Sequence, residues 1–170
     1  ACAAPAATLV ESIETSLRAT TLAPWVRPHS PTERAIAEAV YAERGFAPLW
    51  LSAEPPHRPT QRAWEAVRLM AAAQEKGLQA ADYGVAWLQA ALDPGTEPLD
   101  GIRFDTGLTL AFIRYLSDVG YGRIDPATLG YDLPQQQRRA GLPAAARTAL
   151  ASVDPAAAVA TLEPGLPFYR

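Results

Sequence analysis

Sixteen prolines and eleven glycines divide this 170-residue chain into short segments. Proline fixes its own φ and pushes the preceding residue toward extended geometry, so a helix tends to end before it or begin at it. Between these breaks the apolar residues recur three and four positions apart, and no stretch alternates apolar and polar residues long enough to predict a strand. The sequence therefore predicts an all-α fold, an irregular bundle of about six to eight short helices joined by Pro-rich loops.

Start and stop signals place the individual helices. Ser30-Pro31-Thr32-Glu33 combines an N-cap Ser, a Pro at the first helical position and a Glu three residues on, which predicts a capping box. The helix that begins there is expected to stop at Arg44-Gly45, and the apolar run 46–51 is expected to be extended and buried. Further helices are predicted over 61–76, with Thr60 as cap, and over 85–92, 104–119, 143–153 and 155–162, with 104–119 as the central core helix.

The N-terminal residues form a separate unit in this prediction. Leu9, Ile13 and Leu17 recur every fourth position, which indicates a narrow amphipathic helix that docks on the main body. A Pro-punctuated connector follows it. We therefore divide the chain into an N-terminal arm with one amphipathic helix at 1–28 and a helical domain at 29–170.

Composition narrows the classes of partner. The charge balance is 15 basic against 18 acidic residues, with no basic block, which argues against nucleic acid and against an anionic membrane surface. No apolar run approaches the ~20 residues that cross a bilayer, so no transmembrane segment is predicted in this chain.

The first residues leave two interpretations open. The small residues at 1–7 are typical of the stub near a processed export signal and equally of an ordinary N-terminal arm. Cys2, the single cysteine, excludes an internal disulfide. It is either the lipid-acceptor residue of an exported lipoprotein or an incidental thiol, and the incidental thiol is favoured.

The sequence lacks the residue patterns that metal binding, cofactor binding or nucleophilic catalysis requires. The two histidines, His29 and His57, both lie in Pro-rich loops, and no Gly-rich phosphate loop precedes a helix. No Gly-x-Ser-x-Gly motif places a nucleophile beside a base. We predict no catalytic residue, no metal site and no cofactor.

Carboxylates and tryptophans leave a glycan-related alternative. Glycan hydrolysis needs two acids across a cleft, and the candidates by residue type are Asp82, Asp100, Asp105, Asp118 and Asp125. Caps and turns use Asp routinely, so structural roles are favoured, with Asp105 placed at such a position. The four tryptophans could stack on sugars, but three occupy apolar or helix-face positions, so core packing is favoured for Trp25, Trp50, Trp64 and Trp87.

Five segments, taken in order, carry a family resemblance. They are YAERGFAPLW at 41–50, GLQAADY at 77–83, DTGLTLAFIRY at 105–115, GRIDP at 122–126, and LEP at 162–164 followed by Pro167 and Tyr169. Their order and spacing over residues 30 to 170 resemble the scaffold region that precedes the catalytic domain in large Gram-negative L,D-transpeptidases, the YkuD-type murein transpeptidases.

The resemblance implies an exported, periplasmic or cell-envelope protein that remodels peptidoglycan. In that family the acyl-accepting Cys belongs to a Ser/Thr-His-Gly-Cys run in a separate catalytic domain, and that run is absent from this chain. The chain is then the non-catalytic scaffold domain of an acyltransferase. The partners implied are the catalytic and peptidoglycan-binding domains of the same protein, with peptidoglycan itself as a further candidate.

The GRIDP turn provides the candidate binding residues, Tyr121, Arg123 and Asp125. Arg123 and Asp125 either pair to fix the turn or present a charged edge to another domain, and the structural role is favoured. Two other functions remain open for the chain: a stand-alone periplasmic module that binds peptidoglycan or peptide, and a small glycan hydrolase.

Overall fold

The computed structural model describes residues 13–17, 30–93, 100–123 and 140–163. Within these ranges the α-helices are α1 (Pro31–Glu43), α2 (Gln61–Ala71), α3 (Val85–Leu92), α4 (Gly101–Tyr121), α5 (Leu142–Ala151) and α6 (Pro155–Ala160). Residues 13–17 are also helical, and two 3₁₀ helices cover Ala73–Lys76 and Ala80–Tyr83. Extended pairing in the described ranges is an isolated antiparallel bridge between Leu51 and Pro59. The predicted all-α fold is confirmed.

Helix α1 begins as its sequence signal predicts. The Ser30 hydroxyl accepts from the Glu33 backbone N–H at 3.1 Å, and the Ser30 backbone N–H donates to Glu33 Oε2 at 2.9 Å. These two bonds satisfy donors that a helix N-terminus leaves unpaired. At α6, Asp154 likewise accepts from the Ala157 backbone N–H at 2.9 Å.

Helix α2 differs from its prediction at both ends. Thr60 occupies the N-cap position, but its hydroxyl donates to the Trp50 carbonyl at 2.9 Å and makes no capping bond. The helix ends at Ala71 and tightens into the 3₁₀ helix Ala73–Lys76, so the single helix predicted over 61–76 was wrong. Gly77, with φ 70°, then reverses the chain and brings Leu78 into the core. The tighter turn lets Ala73 remain buried after α2 has ended.

Helix α4 is the centre of the domain. It is longer than the predicted 104–119 and packs against α1, α2, α3, α5 and the 3₁₀ helix Ala80–Tyr83. Its buried residues lie on every side of the helix, as expected for a helix enclosed by neighbours. Phe112 meets the Trp50 ring edge to face, with ring centroids 5.6 Å apart.

The N-terminal helical segment contributes to the same core. Ile13 and Leu17 are both fully buried in the chain taken by itself, as docking of a narrow amphipathic helix predicts. The division at residue 28 stays a prediction, and Leu9 lies outside the described residues. None of the described helices is long and apolar enough to cross a membrane.

Candidate functional site

A buried carboxylate lies at the junction of α1, α4 and the connector that precedes α2. Asp105 is fully buried, and its Oδ1 accepts from the Tyr41 hydroxyl at 2.5 Å and from the Leu49 backbone N–H at 3.0 Å. Its Oδ2 accepts from the Trp50 backbone N–H at 2.8 Å. One side chain therefore ties α1 and the connector to the central helix.

Thr109, one turn further along α4, extends this network. Its Oγ1 accepts from the Trp50 indole N–H at 2.9 Å, lies 2.8 Å from the Tyr41 hydroxyl and donates to the Asp105 carbonyl at 2.8 Å. We call Tyr41, Trp50, Asp105 and Thr109 the Asp105 network. All four side chains are buried, so the network stabilises the fold and has no access to a substrate.

Burial governs the ionisation of this network. It raises the pKa of the Asp105 carboxyl, an effect opposed by the hydrogen bonds from Leu49, Tyr41 and Trp50. Burial, followed by the nearby Asp105 carboxylate, raises the pKa of Tyr41 well above its ordinary range. Tyr41 therefore acts as a neutral hydrogen-bond donor at physiological pH.

The structural role favoured for Asp105 is confirmed by its buried hydrogen bonds, but its predicted position was wrong. Asp105 was expected at a cap or turn, but α4 begins earlier and Asp100 is the cap, with its carboxylate accepting from the Arg103 backbone N–H at 3.1 Å. Asp105 therefore lies inside the helix. The available signal was a polar pair, Asp105 and Thr109, four positions apart within an apolar helical stretch, where both side chains share one face.

A second cluster joins the 3₁₀ helix Ala80–Tyr83 to the C-terminal part of α4. The Tyr83 hydroxyl donates to Asp118 Oδ2 at 2.9 Å, and Arg123 Nη1 lies 2.8 Å from Asp82 Oδ2. Burial, followed by the charge of Asp118, raises the pKa of Tyr83 above its ordinary range. This cluster holds the two segments together.

Of the three candidate binding residues, Arg123 belongs to this cluster. Tyr121 is the last residue of α4 and packs half-buried against the core, while Arg123 pairs with Asp82. Asp125 lies outside the described residues, and so does Cys2, the candidate for lipidation. An interdomain role for Tyr121, Arg123 and Asp125 stays a prediction.

Two arginines add links between helices. Arg114 on α4 is fully buried and donates to Glu33 on α1 through Nε at 3.2 Å and Nη2 at 2.9 Å. Arg62 on α2 lies over the Trp50 ring at 5.2 Å and donates through Nη2 to the Leu150 carbonyl of α5 at 2.6 Å. Charged side chains thus tie α1, α2 and α5 to the core.

The four candidate aspartates that the structure describes have structural partners. Asp105 and Asp118 lie thirteen positions apart on one helix, about 20 Å along its axis, whereas glycan-cleaving pairs are roughly 5 to 9.5 Å apart. Asp100 caps α4, and Asp82 pairs with Arg123. In the described ranges, no three His, Cys, Asp or Glu side chains are grouped so that they could hold a metal ion.

An open groove lies between α2 and α3. It encloses about 310 Å³. Trp64 on its wall is 47% exposed, in contrast to Trp50, which is fully buried. Core packing was predicted for both, and it was wrong for Trp64, because the buried stripe of α2 consists of Ala63, Ala66, Val67 and Met70. Trp64 lies beside that stripe. Trp87 is partly buried as predicted, and Trp25 is outside the described residues.

Comparisons with known proteins give one match. A search of curated proteins and a search of solved structures each returned none. A family model described as Scaffold domain matches residues 35–170, which is most of the chain and includes both polar clusters. The chain belongs to the Scaffold domain family.

Proposed function

We propose that this chain is the non-catalytic scaffold domain of a peptidoglycan-crosslinking L,D-transpeptidase. Its role is to hold a catalytic domain and a wall-binding domain in register in the periplasm or cell envelope. The crosslinking chemistry belongs to a Cys nucleophile in a Ser/Thr-His-Gly-Cys run outside this chain.

One observation carries the proposal: the segments that resemble the transpeptidase scaffold bond to one another. Tyr41 and Trp50 from the first segment meet Asp105 from the third. From the second segment, Asp82 meets Arg123 of the GRIDP segment. Residues that carry the resemblance therefore stabilise the junctions between helices, which is what a scaffold requires.

The buried position of these groups supports the same role. Asp105, Thr109, Tyr41 and Trp50 are fully buried, so they cannot touch a peptide or glycan without unfolding of the domain. A fully satisfied polar network in a core favours one arrangement of the helices around it. Such a body can present attached domains at fixed angles.

The coding sequence gives the first test. We expect the reading frame beyond Arg170 to encode the Ser/Thr-His-Gly-Cys run. A stop codon directly after Arg170 would instead favour a stand-alone periplasmic module that binds peptidoglycan or peptide.

The functional test uses the intact protein in a bacterium that lacks its own L,D-transpeptidases. Three forms are compared: the intact protein, the same protein without residues 30–170, and residues 1–170 alone. Crosslinked muropeptides are quantified by chromatography of digested cell walls. We expect crosslinks from the intact protein alone. Crosslinks from residues 1–170 would place chemistry in this chain, and full activity without 30–170 would remove the need for a scaffold.

A further inference from the structure

The groove between α2 and α3 is lined by polar and apolar side chains, of which the aliphatic ones are Val67, Ala71 and Leu92. Gln61, Trp64, Glu65 and Arg68 on α2 recur at positions i, i+3, i+4 and i+7, so they form one stripe along the wall. Gln89 from α3 also lines the groove. The side chains thus combine an exposed aromatic ring with planar polar groups.

The lining of this groove has no net formal charge. Glu65 and Arg68 contribute one charge of each sign, with Nη2 and Oε1 3.9 Å apart, so their formal charges sum to zero. The remaining polar groups, Gln61 and Gln89, are uncharged amides that both donate and accept hydrogen bonds. Hydroxyl groups of sugars also donate and accept, and they match amides better than a charged ligand does.

The size of the groove favours a small ligand over a protein partner. About 310 Å³ lies at the lower end of the range for small-molecule sites, which is roughly 300 to 1,000 Å³. A stable protein interface covers about 800 Å² on each partner, far more than the few side chains of this groove. One or two sugar rings suit the available space.

We propose that this groove binds a neutral oligosaccharide. The indole face of Trp64 packs against the C–H face of one sugar ring, and the amides of Gln61 and Gln89 bond its hydroxyl or acetamido groups. An exposed indole is suited to this role because it has a large apolar face and little conformational freedom to lose. The inference goes beyond the scaffold role and does not depend on it.

The test is a nuclear magnetic resonance titration of the ¹⁵N-labelled chain with chitotetraose, a neutral N-acetylglucosamine oligomer. The indole N–H signal of Trp64, assigned with Trp64→Phe, is expected to shift and saturate. Trp64→Ala is expected to weaken binding at least about tenfold, because it removes the stacking surface. Since Trp64 is 47% exposed, this variant is expected to fold, and circular dichroism checks that it does.

A matched pair of glutamines separates groove binding from surface effects. Gln89→Ala is expected to weaken binding severalfold, whereas Gln74→Ala, an exposed glutamine of the 3₁₀ helix outside the groove, is expected to leave it unchanged. The proposal is overturned if the Trp64 signal does not move at saturating sugar, if both glutamine variants weaken binding equally, or if an amphipathic peptide binds the groove and the sugar does not. These outcomes concern sugar binding alone, so they are distinct from loss of crosslinking by the intact protein.

Discussion

Replacing Asp105 with alanine is expected to destabilise the domain strongly. The change leaves three buried donors without their acceptor: the Tyr41 hydroxyl and the backbone N–H groups of Leu49 and Trp50. Each such donor costs about 1 to 3 kcal/mol, and partial relaxation brings the total to about 3 to 6 kcal/mol. A domain has only about 5 to 15 kcal/mol of stability, so the effect is large.

The assay is urea unfolding followed by far-UV circular dichroism. Asp100→Ala is the matched control, because it removes a carboxylate from the same helix that makes one exposed capping bond, and it is expected to cost about 1 kcal/mol. If Asp105→Ala does not fold, Asp105→Asn and Tyr41→Phe are milder substitutions that alter the same hydrogen-bond network. Equal losses for the Asp105 and Asp100 variants would refute the role given to the buried network.

The pH dependence of the same variants gives an independent check. Burial raises the folded-state pKa of Asp105 above its ordinary value of 3.8, so the folded chain holds this proton more tightly than the unfolded chain does. The stabilising contribution is full below the unfolded pKa and is lost as the pH rises through the folded pKa. The stability advantage of the wild type over Asp105→Asn is therefore expected to be largest below about pH 4 and to shrink as the pH rises above that value. An advantage that grows over this range would contradict the assignment.

Three further predictions concern other buried or paired groups. Among the described residues the Tyr115 hydroxyl has no hydrogen-bond partner, and burial raises its pKa to about 12. Tyr115→Phe is therefore expected to be neutral or to stabilise the domain by up to about 1 kcal/mol. In urea unfolding, the variant is expected to lose less stability than the wild type as the pH rises from 10 to about 12. Arg114→Met is expected to cost about 3 to 5 kcal/mol by leaving a buried charge unpaired, and Glu33→Gln in the same protein is expected to restore part of this loss, as measured in a double-mutant cycle. Arg123→Ala is expected to change the free energy of unfolding by no more than about 1 kcal/mol, because the ion pair with Asp82 is partly exposed; thermal unfolding measures this. If the intact Arg123→Ala protein loses crosslinking without losing stability, Arg123 contacts another domain.

The local features of the fold could be predicted from the sequence because they depend on interactions between residues that are close in the chain. The capping box at Ser30 and Glu33 uses two residues three positions apart, and the apolar periodicity of α4 identifies it as the core helix. The break of α2 at Ala71 was not predicted, since nothing in its local periodicity marks the change to a 3₁₀ turn. The burial of Ala73 after that point depends on tertiary packing.

The polar network was not predicted, because its partners are far apart in sequence. Tyr41 and Asp105 are separated by 64 positions, and Trp50 and Asp105 by 55. Periodicity identifies a face of a helix, but not the face of another helix that it meets. The prediction that Trp64 packs in the core was wrong for a related reason. Trp64 lies at the edge of the apolar stripe of α2, where burial depends on the position of the neighbouring helix.

The central claim is that the residues of this chain support a separate catalytic domain without sharing in its chemistry. The measurement that tests it most directly compares crosslinked muropeptides made by the intact wild-type protein and its Asp105→Asn variant over a range of temperatures. We expect the variant to lose crosslinking at the temperature at which this domain unfolds, while the separate catalytic domain stays folded. Full crosslinking above that temperature, or its loss while the domain is still folded, would contradict the account.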